Sequence, residues 1–210
     1  SLTMAGVPSH IHPLLSTLRA LSSYGYHVLF LDMDVLVLQP LPRHPHLGPS
    51  LRHPNEATGG YDLLVSTHAH HPRVNIGLML LRATTRSVSF LRTLESNWRV
   101  SHAWDQSLFD ALLPNYDSLP SGLAKANPPV RWARLDACSI AECGLCPLGQ
   151  CAGAYGSLTR HTCNLPPRDV YTWHLTALNT SGKVALLTRF YAAAARTTDL
   201  GDLATAAWWE

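Results

Sequence analysis

Apolar residues recur along this chain in two patterns, one typical of helices and one typical of strands. Helical spacing predicts four helices, over residues 12–23, 84–98, 104–113 and 182–195. Short apolar runs predict five strands, over residues 27–31, 61–66, 74–81, 130–135 and 170–174. Strands that are separated by helices predict an α/β sheet, in which ligands bind beyond the carboxyl ends of the strands.

Glycine and proline mark the segments between these elements. Gly25 follows the first helix as a predicted stop. Residues 39–60 contain five prolines and three glycines, which predict a loop with at most short helical turns. The first strand, 27–31, is almost continuously apolar, so we expect it to be buried on both faces. The apolar run resumes over residues 35–38.

The composition favours one globular domain over the whole range 1–210. The chain has 210 residues, of which 46% are hydrophobic and 14% are charged. A typical globular chain has about 25% charged residues, so this balance excludes a charge-driven disordered chain. The net charge is +2, and lysine and arginine are not clustered, so we expect no nucleic-acid partner.

The sequence says little about cellular location. No apolar run reaches the roughly 18 residues that a membrane span needs, and no secretory signal is visible. The first residue is Ser1 rather than methionine, so the sequence fits a fragment whose membrane anchor could lie upstream. The triplet Asn179-Thr180-Ser181 is a permitted glycosylation acceptor and gives mild support to the secretory route.

All five cysteines fall within residues 137–167, which we interpret as a loop insertion within the domain. Disulfides in an oxidising compartment are the favoured interpretation, although the odd number leaves one thiol over. A zinc site that starts from Cys143-x-x-Cys146 and a set of free thiols are the alternatives. The residues concerned are Cys138, Cys143, Cys146, Cys151 and Cys163, with His161 as a further zinc ligand.

The acidic pair Asp32-Met33-Asp34 is the strongest chemical signal in the sequence. It follows the first strand directly, and a second apolar run follows it. On an extended segment, residues i and i+2 project to one face, about 6.6 Å apart at about 3.3 Å per residue. Two carboxylates at that distance repel each other by roughly 2.5 kcal/mol at an effective dielectric constant of about 20. A bound cation removes this repulsion, and hard oxygen ligands suit Mg²⁺ or Mn²⁺.

Three interpretations of the acidic pair compete. A solvated turn is the simplest, but the apolar runs on both sides argue against it. A phosphatase of the haloacid dehalogenase type also places two aspartates after a strand, but its pattern has Thr or Val where this chain has Leu36. It also needs a later lysine and a second acidic cluster, whereas this chain has only Lys125 and Lys183 and no suitable cluster. Nucleotide-sugar transfer through a cation is the interpretation we favour.

Residues 24–35, YGYHVLFLDMDV, resemble the "GYDVLFSDADV" block of nucleotide-diphospho-sugar transferases. The group that they resemble most is glycosyltransferase family 77, which includes plant and algal xylosyl- and arabinosyltransferases. Residues 74–84, VNIGLMLLRAT, are similar to the family's "NTGFMYLRPT" strand, and residues 105–109, DQSLF, are similar to its "DQxxF" block. His174 falls where the family places a late histidine. The resemblance covers residues 14–113 well.

The resemblance implies a GT-A fold, which is Rossmann-like, and a retaining glycosyltransferase. The donor would be a UDP-sugar, with xylose or arabinose favoured, and the acceptor a glycan or glycoprotein. The resemblance also implies a divalent cation, Mn²⁺ or Mg²⁺, and a Golgi-lumen location, as a type II membrane protein if an anchor lies upstream. Such enzymes hold the nucleotide base ahead of the acidic pair, and only 31 residues precede Asp32 here. We therefore expect part of the N-terminal nucleotide-binding half to be missing, and a non-catalytic, carbohydrate-binding relative is the alternative function.

The resemblance also assigns roles at the cation site. Asp34 would ligate the cation directly, and Asp32 would contact the ribose or sugar of the donor or ligate the cation through water. His174 would complete the cation site and touch the diphosphate. An ordinary core or surface histidine is the alternative for His174.

Other candidate residues would line the donor sugar. Asn75 and Gly77 interrupt an apolar strand and predict a wall of the sugar pocket, with a bulge that satisfies Asn75 locally as the alternative. Asp105 and Gln106 open a helix and are predicted to lie beside the anomeric carbon, with a helix cap as the alternative. Asp105 would be a nucleophile or would stabilise the developing positive charge. Trp104 is predicted to stack on the sugar, with core packing as its alternative.

Overall fold

The structure is a computed structural model that describes part of the 210-residue chain. The described residues are 11–52, 60–67, 74–101, 103, 105–113, 127, 129–135, 140–142, 171–175 and 180–196. The helices are α1 (Ile11–Ser23), α2 (Leu47–Arg52), α3 (Thr85–Ser101), α4 (Asp105–Leu112) and α5 (Thr180–Ala194), with a 3₁₀ helix at Leu41–Arg43. The strands are β1 (Val28–Leu31), β2 (Val35–Val37), β3 (Leu63–Thr67), β4 (Val74–Leu81), β5 (Trp132–Arg134), β6 (Ile140–Glu142) and β7 (Thr172–His174).

The chain is a mixed α/β protein, as the pattern of apolar residues predicts. Each predicted helix and strand is present, and its ends differ from the prediction by at most three residues. The 3₁₀ helix and α2 lie within the predicted loop 39–60, which allowed for short helical turns. The start of α2 is fixed by His44, whose Nδ1 accepts a hydrogen bond of 3.0 Å from the backbone N–H of the fully buried Leu47.

Two compact units make up the chain. The first comprises Ser1–Phe30, Pro54–Val65 and Val74–Arg134, and the second comprises Leu31–His53, Ser66–Arg73 and Leu135–Glu210. None of the helices within the described ranges is both long and apolar enough to cross a membrane.

A four-stranded sheet in the order β1-β4-β3-β5 organises the first unit. Strands β3 and β5 are parallel, with Leu63 opposite Trp132. Apolar residues of α1, α3 and α4 form one core with the sheet, in which the rings of Phe90 and Phe109 meet edge to face at 5.0 Å. Glu95 of α3 is buried and ties α1 to this core, because it accepts hydrogen bonds from Ser16 and Arg19.

A three-stranded sheet in the order β2-β7-β6 organises the second unit. Strand β7 runs antiparallel to β2 and parallel to β6. The register places Val35 opposite His174 and the buried Leu36 opposite the buried Trp173. A backbone hydrogen bond of 3.0 Å from Leu175 N–H to the Asp34 carbonyl extends this ladder. The last residue of β7 therefore lies beside the acidic pair.

Two sequence predictions about strands are wrong. Strand β1 was expected to be buried on both faces, but all four of its residues are partly exposed. It lies at the edge of the four-stranded sheet, where neighbouring elements cover a strand less completely than at the centre. Residues 140–142 were expected to belong to a loop insertion, but they form β6 because their backbone pairs with β7. The five cysteines of the insertion lie outside the described residues, as does Asn179.

Gly25 ends α1 in the way that the sequence predicts. Its φ is +87°, in the left-handed region that glycine adopts without steric cost. The N–H of Gly25 donates to the Ser22 carbonyl, and the N–H of Tyr26 donates to the Leu21 carbonyl. These two bonds form a Schellman motif, which satisfies carbonyl groups that the helix end would otherwise leave open.

The carboxylate of Asp62 holds three segments of the first unit together. Its side chain is completely buried and receives two hydrogen bonds from the guanidinium of Arg86, at 2.7 and 3.3 Å. It also accepts bonds from the Thr84 hydroxyl at 2.9 Å and from the backbone N–H of Arg131 at 2.9 Å. Burial alone would raise the pKa of Asp62, but the hydrogen bonds from Arg86, Arg131 and Thr84 together lower it. Asp62 is therefore ionised in the folded protein at neutral pH.

The first testable prediction concerns Gly25. Replacement Gly25→Ala should lower the free energy of unfolding by about 1 kcal/mol, because the left-handed conformation is strained for a residue with a Cβ atom. An added Cβ meets no atom within 4 Å, so the cost is due to the backbone alone. Gly25→Asn is the matched variant and should lose less, since asparagine tolerates this conformation better. Urea denaturation measures the free energy of unfolding of both variants. A Gly25→Ala variant as stable as the wild type would contradict the requirement for glycine at the end of α1.

The second prediction concerns the pH dependence of stability. Replacement Asp62→Asn should lower the free energy of unfolding by about 3 kcal/mol at pH 7, because it leaves buried donors without their charged partner. The folded pKa of Asp62 is below its unfolded value, so its contribution is complete above about pH 4 and is lost as the pH falls through the folded pKa.

Urea denaturation of both proteins at pH 7, pH 5 and pH 3 tests this dependence. The stability difference between wild type and Asp62→Asn should be equal at pH 7 and pH 5 and smaller at pH 3. A difference of the same size at all three pH values would show that the charge of Asp62 contributes nothing.

Candidate functional site

The acidic pair lies in a turn between β1 and β2. The backbone N–H of Val35 donates a hydrogen bond of 3.1 Å to the carbonyl of Asp32, which closes the turn over Met33 and Asp34. The expectation of an extended segment with carboxylates about 6.6 Å apart is therefore wrong. The turn still presents both carboxylates to one side, and Met33 between them is almost fully exposed.

His174 reaches the acidic pair from β7. Because β7 pairs with β2 and places His174 opposite Val35, the imidazole lies next to Asp34. Its Nε2 is 3.0 Å from Asp34 Oδ1 and 3.7 Å from Asp32 Oδ2. A carboxylate can only accept a hydrogen bond, so Nε2 carries the proton in this arrangement. The sequence prediction that a late histidine lies beside the two aspartates agrees with this geometry.

Lys183 is a further member of the cluster, which the sequence does not predict. It lies in the first half of α5, and its Nζ is 2.5 Å from Asp34 Oδ2. The sequence contains one relevant signal, since Lys183 is one of only two lysines in the chain. The rarity of lysine does not indicate a partner, because 149 positions separate Lys183 from Asp34.

The charge of Asp34 is fixed by these two neighbours. The hydrogen bond to His174 lowers the pKa of Asp34 most, burial opposes it, and the hydrogen bond to Lys183 lowers the pKa further. The net result is a pKa far below the ordinary value for an aspartate. Asp34 is therefore ionised at neutral pH and available as an anionic ligand.

The three side chains fit a divalent cation. One ligand atom each from Asp32, Asp34 and His174 can be chosen so that all lie within 4.8 Å of one another. Two ligands of one small octahedral cation lie up to about 4.2 Å apart, so only a small closure is needed. Two carboxylates and an imidazole are a donor set that a divalent cation can use. His174 Nδ1 is buried, has no hydrogen-bond partner among the described residues and can carry the proton when Nε2 binds a metal.

The candidate residues of β4 lie in the first unit. Asn75 is buried, and its Oδ1 accepts a hydrogen bond of 2.8 Å from the backbone N–H of Gly77. The side chain of Asn75 thus bonds to the backbone two residues further along its own strand. This is the local satisfaction that the alternative interpretation of the Asn75–Gly77 pair expects.

The start of α4 is bound to the backbone of β4. Gln106 accepts a bond of 3.1 Å from the N–H of Ile76 and donates through Nε2 to the carbonyl of Val74. Asp110, one turn further along α4, accepts a bond of 3.0 Å from the N–H of Val74. The oxygen and the nitrogen of the Gln106 side-chain amide therefore both bind the backbone of β4.

Asp105 has a different environment from Gln106. It is half-buried at the first position of α4, and its Oδ1 accepts a bond of 2.8 Å from the backbone N–H of Gln106. This bond reaches only the next residue, whereas a helix-capping side chain accepts from the N–H two or three residues further along the chain. Trp104, which was predicted to stack on the sugar, lies outside the described residues.

The sequence predicts two groups of site residues, one at the cation and one around the donor sugar. The structure brings the cation group together as a single cluster. Asp32, Asp34 and His174 meet in the second unit, and Lys183 joins them. The predicted sugar-side residues belong to the first unit and are held around the contact between β4 and α4. These residues are Asn75, Gly77, Asp105 and Gln106.

The sequence also matches a known protein family. Residues 15–124 match the family model of the nucleotide-diphospho-sugar transferases, a range that includes Asp32, Asp34 and the whole of β4. His174 and Lys183 lie beyond the matched range. Neither a curated protein nor a solved structure matches the chain. The family match spans just over half of the 210 residues, and the chain therefore belongs to the nucleotide-diphospho-sugar transferase family.

Proposed function

We propose that this protein is a glycosyltransferase that depends on a divalent cation and transfers a sugar from a UDP-sugar to a glycan or glycoprotein acceptor. The observation that carries the proposal is the cluster of Asp32, Asp34 and His174. The family match contains only the two aspartates of this cluster. The histidine lies outside the matched range and joins them through the pairing of β2 with β7, so its position is an observation that the family match does not contain.

Asp34 is proposed as the direct ligand of the cation. Its carboxylate is ionised, and its orientation is fixed by His174 on Oδ1 and Lys183 on Oδ2. Its side chain is 21% exposed, whereas that of Asp32 is 41% exposed. Asp32 is thus the more accessible carboxylate and is proposed to contact the ribose or sugar of the donor, or to ligate through water.

His174 is proposed to complete the cation site through Nε2. The imidazole must then hold its single proton on Nδ1, since a metal-bound nitrogen cannot also carry a proton. Burial of the ring between β7 and the acidic turn leaves it little freedom to rotate, because its side chain is only 10% exposed. A bound cation would neutralise charge on the donor diphosphate and on the departing nucleoside diphosphate.

The roles on the sugar side are proposed from the resemblance to the family. Asp105 has a carboxylate that could stabilise positive charge at the anomeric carbon or act as a nucleophile. Gln106 is proposed to act through β4, since both polar atoms of its side-chain amide bind the backbone of that strand. Asn75 and Gly77 would then form a rigid wall for the sugar, held in place by Gln106 and the local Asn75 bond.

The finer assignments are also proposals. A GT-A fold, transfer with retention, a pentose donor and membership of glycosyltransferase family 77 rest on the similarity of residues 24–35, 74–84 and 105–109 to that group's blocks. A Golgi-lumen location rests on the same similarity. The mixed α/β architecture is compatible with a nucleotide-sugar transferase fold.

The third prediction tests the cation cluster. UDP should bind the wild-type chain much more tightly in the presence of Mn²⁺ than in its absence. Replacement Asp34→Asn or His174→Ala should each lower the UDP affinity in the presence of Mn²⁺ by about 100-fold, because each removes a ligand that anchors the cation. Isothermal titration calorimetry with and without Mn²⁺ provides the measurement.

His46→Ala is the matched control for this experiment, since His46 is an exposed histidine of the same unit and lies outside the cluster. It should leave the response to Mn²⁺ unchanged. UDP binding to the wild type that is indifferent to Mn²⁺ would contradict the proposed transferase and would favour a non-catalytic, carbohydrate-binding relative.

The fourth prediction concerns the reaction itself. With Mn²⁺ present, the protein should release UDP from UDP-xylose or UDP-arabinofuranose faster than from UDP-galactose or UDP-glucose. Asp34→Asn should abolish this release, because the cation is needed to stabilise the leaving diphosphate. Release of phosphate from a simple aryl phosphate, measured in parallel, should not be observed, and its detection would point to the haloacid dehalogenase type of chemistry instead.

A further inference from the structure

The contact between Lys183 and Asp34 places a fixed positive charge inside the proposed cation site. Lys183 Nζ lies 2.5 Å from Oδ2 of the carboxylate that is proposed as the direct ligand. The Lys183 side chain is 29% exposed, so water screens the contact only in part. The negative carboxylate attracts both a lysine ammonium group and a divalent cation. These two positive charges repel each other when both are close to it.

The charges of the cluster can be counted from its members. Asp32 and Asp34 together contribute −2, Lys183 contributes +1, and a metal-binding imidazole is neutral. The cluster without a cation therefore has a net charge of −1, which repels a diphosphate. With a divalent cation its net charge becomes +1, which attracts one.

We infer that Lys183 is an internal counter-ion that competes with the divalent cation for Asp34 and makes the cation-loaded site net positive. This inference rests on the proposed function. Lys183 stabilises the acidic pair before the cation is bound, and it lowers the affinity of the site for the cation alone. After the cation has bound, the charge of Lys183 adds to the attraction for the diphosphate. The charge count therefore predicts that a diphosphate binds more tightly to the cation-loaded site than to the site without a cation.

The position of Lys183 on α5 explains why its effect should be local. Arg189 lies six residues later on the same helix and is exposed. Six residues advance a helix by about 9 Å and turn it by about 600°, so Arg189 projects in a different direction from Lys183. Removal of the charge at Arg189 therefore changes the net charge of the protein equally, but leaves the contact with Asp34 intact.

The test is a titration of the full chain with Mn²⁺, in which electron paramagnetic resonance measures the free ion. Lys183→Met should bind Mn²⁺ about tenfold more tightly than the wild type, because it removes a positive charge next to the ligands. Lys183→Arg, which keeps the charge, and Arg189→Met, which removes a remote charge, should both bind Mn²⁺ within about twofold of the wild type.

A second measurement separates this role from a purely structural one. At saturating Mn²⁺, Lys183→Met should bind UDP about tenfold more weakly than the wild type, because the loaded site loses its excess positive charge. The two affinities thus change in opposite directions. A residue that only supports the fold would lower both affinities when replaced, and that result for Lys183→Met would overturn the inference.

The outcomes also distinguish this inference from the proposed function. If Lys183→Met binds Mn²⁺ no more tightly than the wild type while Asp34→Asn abolishes Mn²⁺ binding, the inference is overturned and the cation site stands. If the wild type binds no Mn²⁺, or if Asp34→Asn binds it as well as the wild type does, the proposed cation site and the inference both fail.

Discussion

The proposed chemistry depends on the antiparallel pairing of β2 with β7. This short ladder carries His174 to the acidic turn, and the bond from Leu175 N–H to the Asp34 carbonyl extends it. Successive side chains of a strand point to opposite faces, so a shift of the register by one residue would turn His174 away from Asp34. The buried pair of Leu36 and Trp173 opposes such a shift, because it would expose large apolar side chains.

Asp62 and Asp34 are both ionised, but their surroundings suit them to different roles. Asp62 is completely buried and is surrounded by donors from a guanidinium, a hydroxyl and a backbone N–H, which leave it little capacity to bind anything else. Asp34 is partly exposed and has an imidazole and an ammonium group as neighbours. Solvent can therefore reach the carboxylate of Asp34, whereas it cannot reach that of Asp62.

Some of the candidate site could be predicted from the sequence, and the reasons differ between residues. Asp32 and Asp34 stand out because two acidic residues follow an apolar strand directly, which is a local pattern. His174 was found through the resemblance to a family, since its own surroundings in sequence carry little information. Gln106 was singled out for its place in a motif, but its bonds to Val74 and Ile76 are visible only in the fold. The catalytic roles of Asp105 and Gln106 and the sugar-binding roles of Asn75 and Gly77 remain predictions.

The sequence by itself determined the four predicted helices, the five predicted strands, the end of α1 at Gly25, the acidic pair and the nucleotide-diphospho-sugar transferase family. Each of these depends on residues that are close together in the chain, where spacing and residue type are sufficient. The tertiary structure alone decided that Asp34 accepts bonds from both His174 and Lys183, and that Asp62 joins Thr84, Arg86 and Arg131. The two partners of Asp34 are 140 and 149 positions away from it. Contacts over such separations follow from strand register and helix placement, which local patterns of apolar and polar residues do not encode.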